Sequence, residues 1–333
     1  PAAAHAAAGK AGIDCWPLYP RGMISEEQER QMTTLNAANV HAVAVEDCPD
    51  GGDDLDLVVA GLFDDADLAR ELELSSVNSI NWGRVLMQSV HYAYGYLKAC
   101  PRVGDPLAVS VPSGAFGNLF AGYLAREMGV PIETFCCEND GNAVLHPGFS
   151  GGVLKNRDLI LTVSSAIDIV VPYNFWRFLY FQAGGDAAQL AAWMQRFQEA
   201  GEVRLDAETA AAIQHGYRSC SVSDAETLST IRATFEESGY LLDPHGAVAV
   251  AAARELQDQL GQDTPVLCLA TAHPAKFPDI TARALGGGDL PPEGFHPALT
   301  AAADLPQRVT VCPRNELRSL LISGMKAVAL QGR

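Results

Sequence analysis

Clustered basic charge is missing from this sequence. Twenty-three Lys and Arg face 40 Asp and Glu over 333 residues, a formal net charge of −17. That balance argues against DNA, RNA or an anionic membrane as the main partner. An anionic small molecule would need a local positive site. No apolar run is long enough to span a bilayer; Leu159 to Val171 comes nearest, and Asp168 interrupts it. The eight cysteines form no C-x-x-C and no Cys/His ligand spacing, which argues against a zinc module. Cys136 and Cys137 adjoin in an apolar stretch and read as buried thiols of a reducing compartment, so the cytoplasm is the expected location. There is no G-x-G-x-x-G, no G-x-x-x-x-G-K-[ST], no G-x-S-x-G and no H-E-x-x-H. Nor is there an initiator Met or a signal peptide: the chain opens Pro1-Ala-Ala-Ala-His and is expected to begin partway along a longer polypeptide.

What is present is core material, 48% hydrophobic, in an alternating order. Helices are expected at Pro1–Lys10, Ser25–Leu35, Leu55–Leu72, Asn81–Ala99, Asn118–Met128, Asn174–Phe181, Asp186–Ala200, Ser223–Ser238, Gly246–Leu260 and Pro313–Gln331. Ser25 with Gln28, and Ser223 with Glu226, have capping-box spacing. Strand-like runs stand at Ile13–Tyr19, Asn39–Glu46, Leu107–Val111, Pro131–Cys137, Asp158–Val171 and Pro265–Thr271. Residues 284–305 read as a surface loop rich in Gly and Pro. Strand and helix alternate, which is the α/β signature. The pairs Asp53-Asp54 and Asp64-Asp65 read as solvated surface charge.

Four groups fall after strands or at helix starts, where α/β proteins place ligands. After the strand ending at Val111 comes Pro112-Ser113-Gly114-Ala115-Phe116-Gly117-Asn118. A strand, a glycine turn and a helix start make an anion cradle, with a phosphate as its natural occupant; an ordinary βα turn has the same pattern. Asn78-Ser79-Ile80-Asn81-Trp82-Gly83-Arg84 sets two amides, a hydroxyl and an Arg at a helix entrance, suited to a carboxylate or phosphate, or simply to capping. Asp243-Pro244-His245-Gly246 reads as a turn and cap. Thr271, in Ala270 to Phe277, puts a neutral hydroxyl at a strand end, where it can partner a ring nitrogen or serve structure alone.

Taken in order, these pieces resemble threonine synthase and its threonine synthase-like relatives. The resemblance runs along nearly the whole chain. It includes Leu18-Tyr19-Pro20, Gln31-Met32-Thr33-Thr34, Asn78 to Arg84, Val111 to Gly122, Glu138-Asn139-Asp140 with Leu145-His146, Ala166-Ile167-Asp168-Ile169 with Pro172-Tyr173-Asn174, Leu242 to His245, and Ala270 to Phe277. It implies a fold-type-II, pyridoxal-phosphate (PLP) architecture: two α/β lobes with twisted, mostly parallel sheets. Residues 1–97 would be the remnant of the smaller, mobile lobe and residues 98–333 the larger, cofactor-binding lobe. It implies conversion of O-phosphohomoserine and water to threonine and phosphate. Ser113, Gly114, Ala115, Phe116, Gly117 and Asn118 would hold the cofactor phosphate, and Thr271 would face the pyridine nitrogen. Asn78, Ser79, Asn81 and Arg84 would take the substrate.

The sequence departs from that family in two places. The cradle usually reads Thr-Gly-Asn-Phe-Gly, and Ala115 replaces its amide, as in some threonine synthase-like proteins that act as phospho-lyases. The Schiff-base lysine, carried in a Phe-Lys-Asp motif upstream of the point matching Pro1, is absent. Lys10 reads as a solvated helix end and Lys276 as a packing or capping residue, so no catalytic residue is assigned in this chain. Three readings stand: a truncated threonine synthase, inactive alone; a related PLP phospho-lyase giving 2-oxobutyrate; and a non-catalytic phosphate-binding remnant. Missing sheet neighbours would leave an exposed edge or apolar patch and promote self-association.

Overall fold

The computed structural model describes residues 1–259 and 264–331. The chain divides into two compact units, one of residues 1–77, 275–277 and 290–333, the other of residues 78–274 and 278–289. No described helix is long and apolar enough to cross a membrane.

The first unit opens with α1 (Ala2–Ala7), β1 (Leu18–Pro20), α2 (Glu26–Thr33), β2 (Val43–Glu46), α3 (Gly52–Phe63) and α4 (Ala66–Glu71). Ser25 and Gln28 form the expected capping box at the start of α2, satisfying two otherwise orphaned donors. The strand-like run at Asn39–Glu46 contracts to β2, whose Val43, Ala44 and Val45 are fully buried. The reading of Asp53 and Asp54 as surface charge is overturned: they are 5% and 3% exposed. They lie in the first turn of α3, where negative charge suits the helix dipole. Asp54 accepts the Asp50 N–H at 2.9 Å and pairs with Arg314, so the carboxylate is compensated. Asp64 and Asp65 are exposed as expected, and Asp65 caps α4 through the Leu68 N–H.

The second unit follows the order α5 (Trp82–Ala99), β3 (Leu107–Pro112), α6 (Gly117–Glu127), β4 (Ile132–Asn139), α7 (His146–Gly151), β5 (Val153–Lys155), α8 (Tyr173–Gln182), α9 (Ala187–Ala200), β6 (Glu202–Arg204), α10 (Ala207–Gln214), β7 (Tyr217–Ser221), α11 (Asp224–Ser238), α12 (Pro244–Glu255), β8 (Val266–Cys268) and α13 (Pro278–Ala284). Its main sheet has the order β7-β4-β3-β8, all parallel. Every residue of β3 is buried, because helices cover both faces of a parallel sheet. Ala108, Cys136 and Val266 pack toward α12, where Ser110 Oγ donates to Ala249 O at 2.7 Å. Val109, Val111, Phe135 and Cys137 face the opposite way, into the largest core cluster with Tyr92 of α5 and Leu119 and Phe120 of α6. Cys136 and Cys137 are buried thiols, and all eight cysteines are free. β5 and β6 pair antiparallel as a separate ribbon.

The strand expected at Asp158–Val171 does not form. The segment is irregular, with one 3₁₀ turn at Ser165–Ile167. Side chains take its backbone donors instead of a ladder: Ile160 N–H bonds Asn142 Oδ1 (2.8 Å), Thr162 N–H bonds Asp168 Oδ2 (2.9 Å), and Ala166 N–H bonds His245 Nε2 (3.0 Å). The helix expected at Gly246–Leu260 begins earlier, because Asp243 caps it, and ends at Glu255; Leu260 lies outside the described residues. α14 (Pro297–Ala302) interrupts the expected loop at 284–305, capped by His296. β9 (Thr310–Pro313) then joins β2, completing the parallel sheet β1-β2-β9 of the first unit, and α15 (Arg314–Gln331) packs on α3.

Candidate active site

From β3 the chain steps outward through β4 to β7, then returns to place β8 on the other side of β3. The strand order reverses there, and in an open α/β sheet a ligand crevice lies at the carboxyl ends of the strands flanking that reversal. Ser113 immediately follows β3, and Thr271 follows β8 by three residues. Both flank the reversal, and Thr271 is exposed.

The glycine turn has the features of an anion cradle. α6 starts at Gly117 with no side chain capping it, and its first intrahelical bond runs from Phe120 N–H to Phe116 O at 3.0 Å. The N–H groups of Gly117, Asn118 and Leu119 are therefore left without a helical acceptor at the positive end of the dipole. Gly114, Ala115 and Asn118 stay partly accessible. Phe116 is the residue whose part differs most from a literal reading of the motif. It adopts a left-handed conformation (φ 65°), and its ring packs among Phe149, Phe175 and Phe178, so only its backbone faces the turn. Ser113 Oγ donates to Val111 O at 3.0 Å, so its hydroxyl proton is already committed. Tyr92 O–H bonds both the main-chain and side-chain oxygens of Asn118 (2.8 and 3.0 Å), which leaves the Asn118 amide nitrogen as the donor end.

The turn is fixed from two sides. A Cβ at Gly114 would lie 2.8 Å from Ile169 Cγ1 and 3.0 Å from Ile167 Cα, so the irregular 160–169 segment sits directly on it. That segment is tied to the end of β4 by buried polar groups. Thr162 Oγ1 donates to Asp168 Oδ1 at 2.7 Å, and Asn142 Nδ2 reaches both Asp140 Oδ1 (3.0 Å) and Asp168 Oδ1 (3.2 Å). Burial, and then hydrogen bonding with Asp168, holds the Asp140 carboxyl well above the usual carboxylate range. His245 Nδ1 contacts Asp243 Oδ1 at 2.9 Å, while its Nε2 accepts from Ala166. Both ring nitrogens are therefore engaged, and Asp243-His245 is a structural clamp, in line with the turn-and-cap reading.

On the other side, the Asn78–Arg84 block reaches the cradle. A Cβ at Gly117 would lie 3.0 Å from Ser79 Cβ and 3.2 Å from Asn174 Nδ2. Tyr173 O–H donates to Asn78 Oδ1 at 2.9 Å and lies 3.0 Å from Ser79 Oγ; Asn174 N–H bonds Ala115 O at 3.2 Å. Arg177 Nη1 donates to Ser79 O at 2.8 Å and its Nη2 to Ile80 O. Asn81 caps α5 through the Gly83 N–H at 2.8 Å, and Arg84 is exposed one turn on. Tyr92 and Arg177 are supporting residues outside the motifs; Tyr173 and Asn174 stand in the Pro172-Tyr173-Asn174 segment of the resemblance, where no site role was assigned to them.

Residues 246–320 match the family described as Threonine synthase, C-terminal. Threonine synthase from Pseudomonas aeruginosa is 36% identical over 308 residues, 92% of this chain and 63% of that protein. The chain belongs to the threonine synthase family. Threonine synthase-like 2 from Xenopus laevis is also 36% identical, over 84% of this chain and 59% of that protein. A PLP-bound threonine synthase structure from Brucella melitensis superposes with a TM-score of 0.83 at 34% identity, covering 97% of this chain and 68% of that one. The fold is thus the fold-type-II architecture of PLP enzymes. The chain spans just under two thirds of the length of its curated relatives.

The uncapped α6 terminus fits the phosphate of the family's cofactor. An attaching amine does not accompany it in the second unit, whose two lysines lie elsewhere: Lys98 in the last turn of α5, and Lys155 on β5, ion-paired with Glu202 at 3.5 Å.

Proposed function

We propose that this chain carries the phosphate cradle and substrate face of a threonine synthase-type PLP lyase acting on O-phosphohomoserine. The attaching lysine would come from the part of the relatives' length that this chain does not span, so the polypeptide alone would be inactive. The observation that carries this reading is the uncapped α6 terminus beside the strand-order reversal. When bound, PLP supplies an electron sink for a carbanion. The chain's own residues do the holding. The N–H groups of Gly117, Asn118 and Leu119 and the Asn118 amide bind the phosphate. The Thr271 hydroxyl, being neutral, leaves a facing ring nitrogen unprotonated. Asn78, Ser79, Asn81 and Arg84 take the carboxylate or phosphate of the substrate, with Tyr173 and Arg177 fixing the turn that bears them. Free thiols at all eight cysteines support a reducing compartment such as the cytoplasm.

The test is phosphorus NMR of PLP and of inorganic phosphate titrated with the chain. Both signals should shift on binding. Asn118→Asp, which sets a like charge at the helix start, should abolish both shifts, and Thr271→Ala should weaken PLP while leaving inorganic phosphate unchanged. Binding indifferent to Asn118→Asp sinks the reading. A second reading, a phospho-lyase giving 2-oxobutyrate, draws on the threonine synthase-like 2 relative, as similar to this chain as the bacterial synthase. Product analysis with O-phosphohomoserine, on a single polypeptide restoring the relatives' full length, separates the two.

A further inference from the structure

Two carboxyls are buried together behind the glycine turn. Asp140, just past β4, is 2% exposed, and Asp168, on the irregular 160–169 segment, is 7% exposed. Among the described residues no ion pair reaches either one. Their donors are neutral. Asp140 Oδ1 accepts the Asn142 N–H at 2.9 Å, and Asp168 Oδ2 accepts the Thr162 N–H at 2.9 Å. The Thr162 hydroxyl donates to Asp168 Oδ1 at 2.7 Å, with Asp140 Oδ2 3.3 Å away. Asn142 Nδ2 lies 3.0 Å from Asp140 Oδ1 and 3.2 Å from Asp168 Oδ1, but one of its two hydrogens goes to Ile160 O at 2.9 Å. Those neutral hydrogens number about four, for two carboxyls with about eight acceptor positions between them. Two negative charges so placed are costly, and such a pair keeps a proton.

The remaining ionisable groups around the segment do not reach the pair. Asp224, at the start of α11, accepts the Val163 N–H at 3.2 Å. His245 of α12 faces Ala166 through Nε2 and Asp243 through Nδ1. Glu138 of β4 is turned to Cys220, and Arg157 and Asp158, ahead of the segment, are exposed. The pair is instead joined to the turn. Ile167 and Ile169, on either side of Asp168, are the residues a Cβ at Gly114 would strike. Asn139, next to Asp140, donates through Nδ2 to Ser113 O at 2.8 Å.

We propose that Asp140 and Asp168 hold one proton between them, and that this proton keeps the 160–169 segment seated on the glycine turn in its anion-binding shape. The proposal rests on the cradle reading above. Both are positioning residues, acting through Gly114 and Ser113. Without the proton, two carboxylates face each other with no cation between them, and the segment lifts. Burial first, and then the bond with Asp168, pushes the Asp140 carboxyl up to about 8. The closed segment keeps a proton that the open segment releases. Opening therefore gains with each pH unit up to about 8 and levels off beyond. A bound anion, needing the closed turn, holds the proton in. Its affinity should fall once the free chain starts to lose that proton, near pH 8.

Amide exchange, corrected for intrinsic rates, tests the clamp with no ligand present. Opening read at Thr162 and Ala166 should rise by up to about tenfold per unit from pH 6 to 8. Asp140→Asn, whose amide supplies the hydrogen permanently, should flatten that rise, and Glu138→Gln should leave it in place. Calorimetric titration with inorganic phosphate tests the consequence. Relative to Asp140→Asn, the parent chain should lose up to about tenfold in affinity between pH 7 and 9, the ligand's own titration being common to both. If Asp140→Asn does not fold, Asp168→Asn supplies the hydrogen from the other side and serves the same comparison. Exchange that follows the same pH course in the parent and in Asp140→Asn overturns the proposal. So does a pH course abolished by Glu138→Gln. A fall in affinity with no change in exchange also overturns it, because that is repulsion through space and not positioning. A chain that binds no phosphate at any pH sinks the cradle reading, and exchange then decides the clamp by itself.

Discussion

Glu138 lies beneath the glycine turn: its backbone oxygen accepts the Ser113 N–H at 2.7 Å. Its side chain is fully buried, Oε2 accepts from Cys220 Sγ at 3.0 Å, and Oε1 has no partner among the described residues. Burial chiefly, and Glu255 to a lesser degree, raises its pKa from 4.5 to about 8 against the opposing Cys220 hydrogen bond. Between those values the folded protein keeps a proton that the unfolded chain has released. The contribution of Glu138 to the unfolding free energy must therefore fall as pH rises from 4.5 to about 8 and level off beyond. At 1.36 kcal/mol per pH unit, that interval amounts to about 5 kcal/mol. Glu138→Gln keeps the volume and the acceptor for Cys220 but cannot ionise. Urea unfolding of both proteins from pH 5 to 9 measures the difference, in which carboxylates common to both cancel. The variant's advantage should widen by about 1.4 kcal/mol per pH unit up to pH 8 and then stay constant. Parallel profiles would refute the reasoning, because they would mean that the carboxylate is solvated in the folded state.

The cradle gives two further expectations. Gly114→Ala drives a methyl onto the Ile167 backbone, which cannot rotate away, so it should cost about 1–3 kcal/mol in urea unfolding and weaken inorganic phosphate binding by calorimetry; unchanged stability counts against the packing described. Tyr92→Phe keeps the ring but removes the donor to Asn118, and should cost roughly 1 kcal/mol together with several-fold in phosphate affinity, an unchanged affinity showing that the amide needs no such fixing.

Local signals made most of the helices legible. Ser25, Asp186, Ser223 and Asp243 all cap the helices that follow them, because a side-chain acceptor at a fixed offset is written in four residues. β3 was legible because a strand buried on both faces reads as an apolar run. Tyr217-Arg218-Ser219-Cys220-Ser221 gave no such run, since an edge strand needs apolar side chains only on its covered face; it becomes β7 by pairing with β4. The error at Asp158–Val171 has the same root in reverse. Its apolar content resembled a strand, but its backbone donors are captured by side chains: by Asp168 within the segment, and by Asn142 and His245, 18 and 79 residues from their donors and outside any window on it.

The candidate site divides along the same line. The glycine turn and the strand ends are local signals, so Ser113 to Asn118 and Thr271 were legible as a βα turn and a strand end; their proposed roles come from the resemblance. The groups that aim them were not. No site role attached to Tyr92 or Tyr173 until their hydroxyls are seen to meet Asn118 and Asn78. Nothing in the spacing distinguishes a tyrosine that fills space from one that orients an amide. Asp54 makes the converse point: its burial is compensated by Arg314, 260 residues away. Charge alone placed it outside, and the partner, invisible locally, offsets the cost of bringing it in.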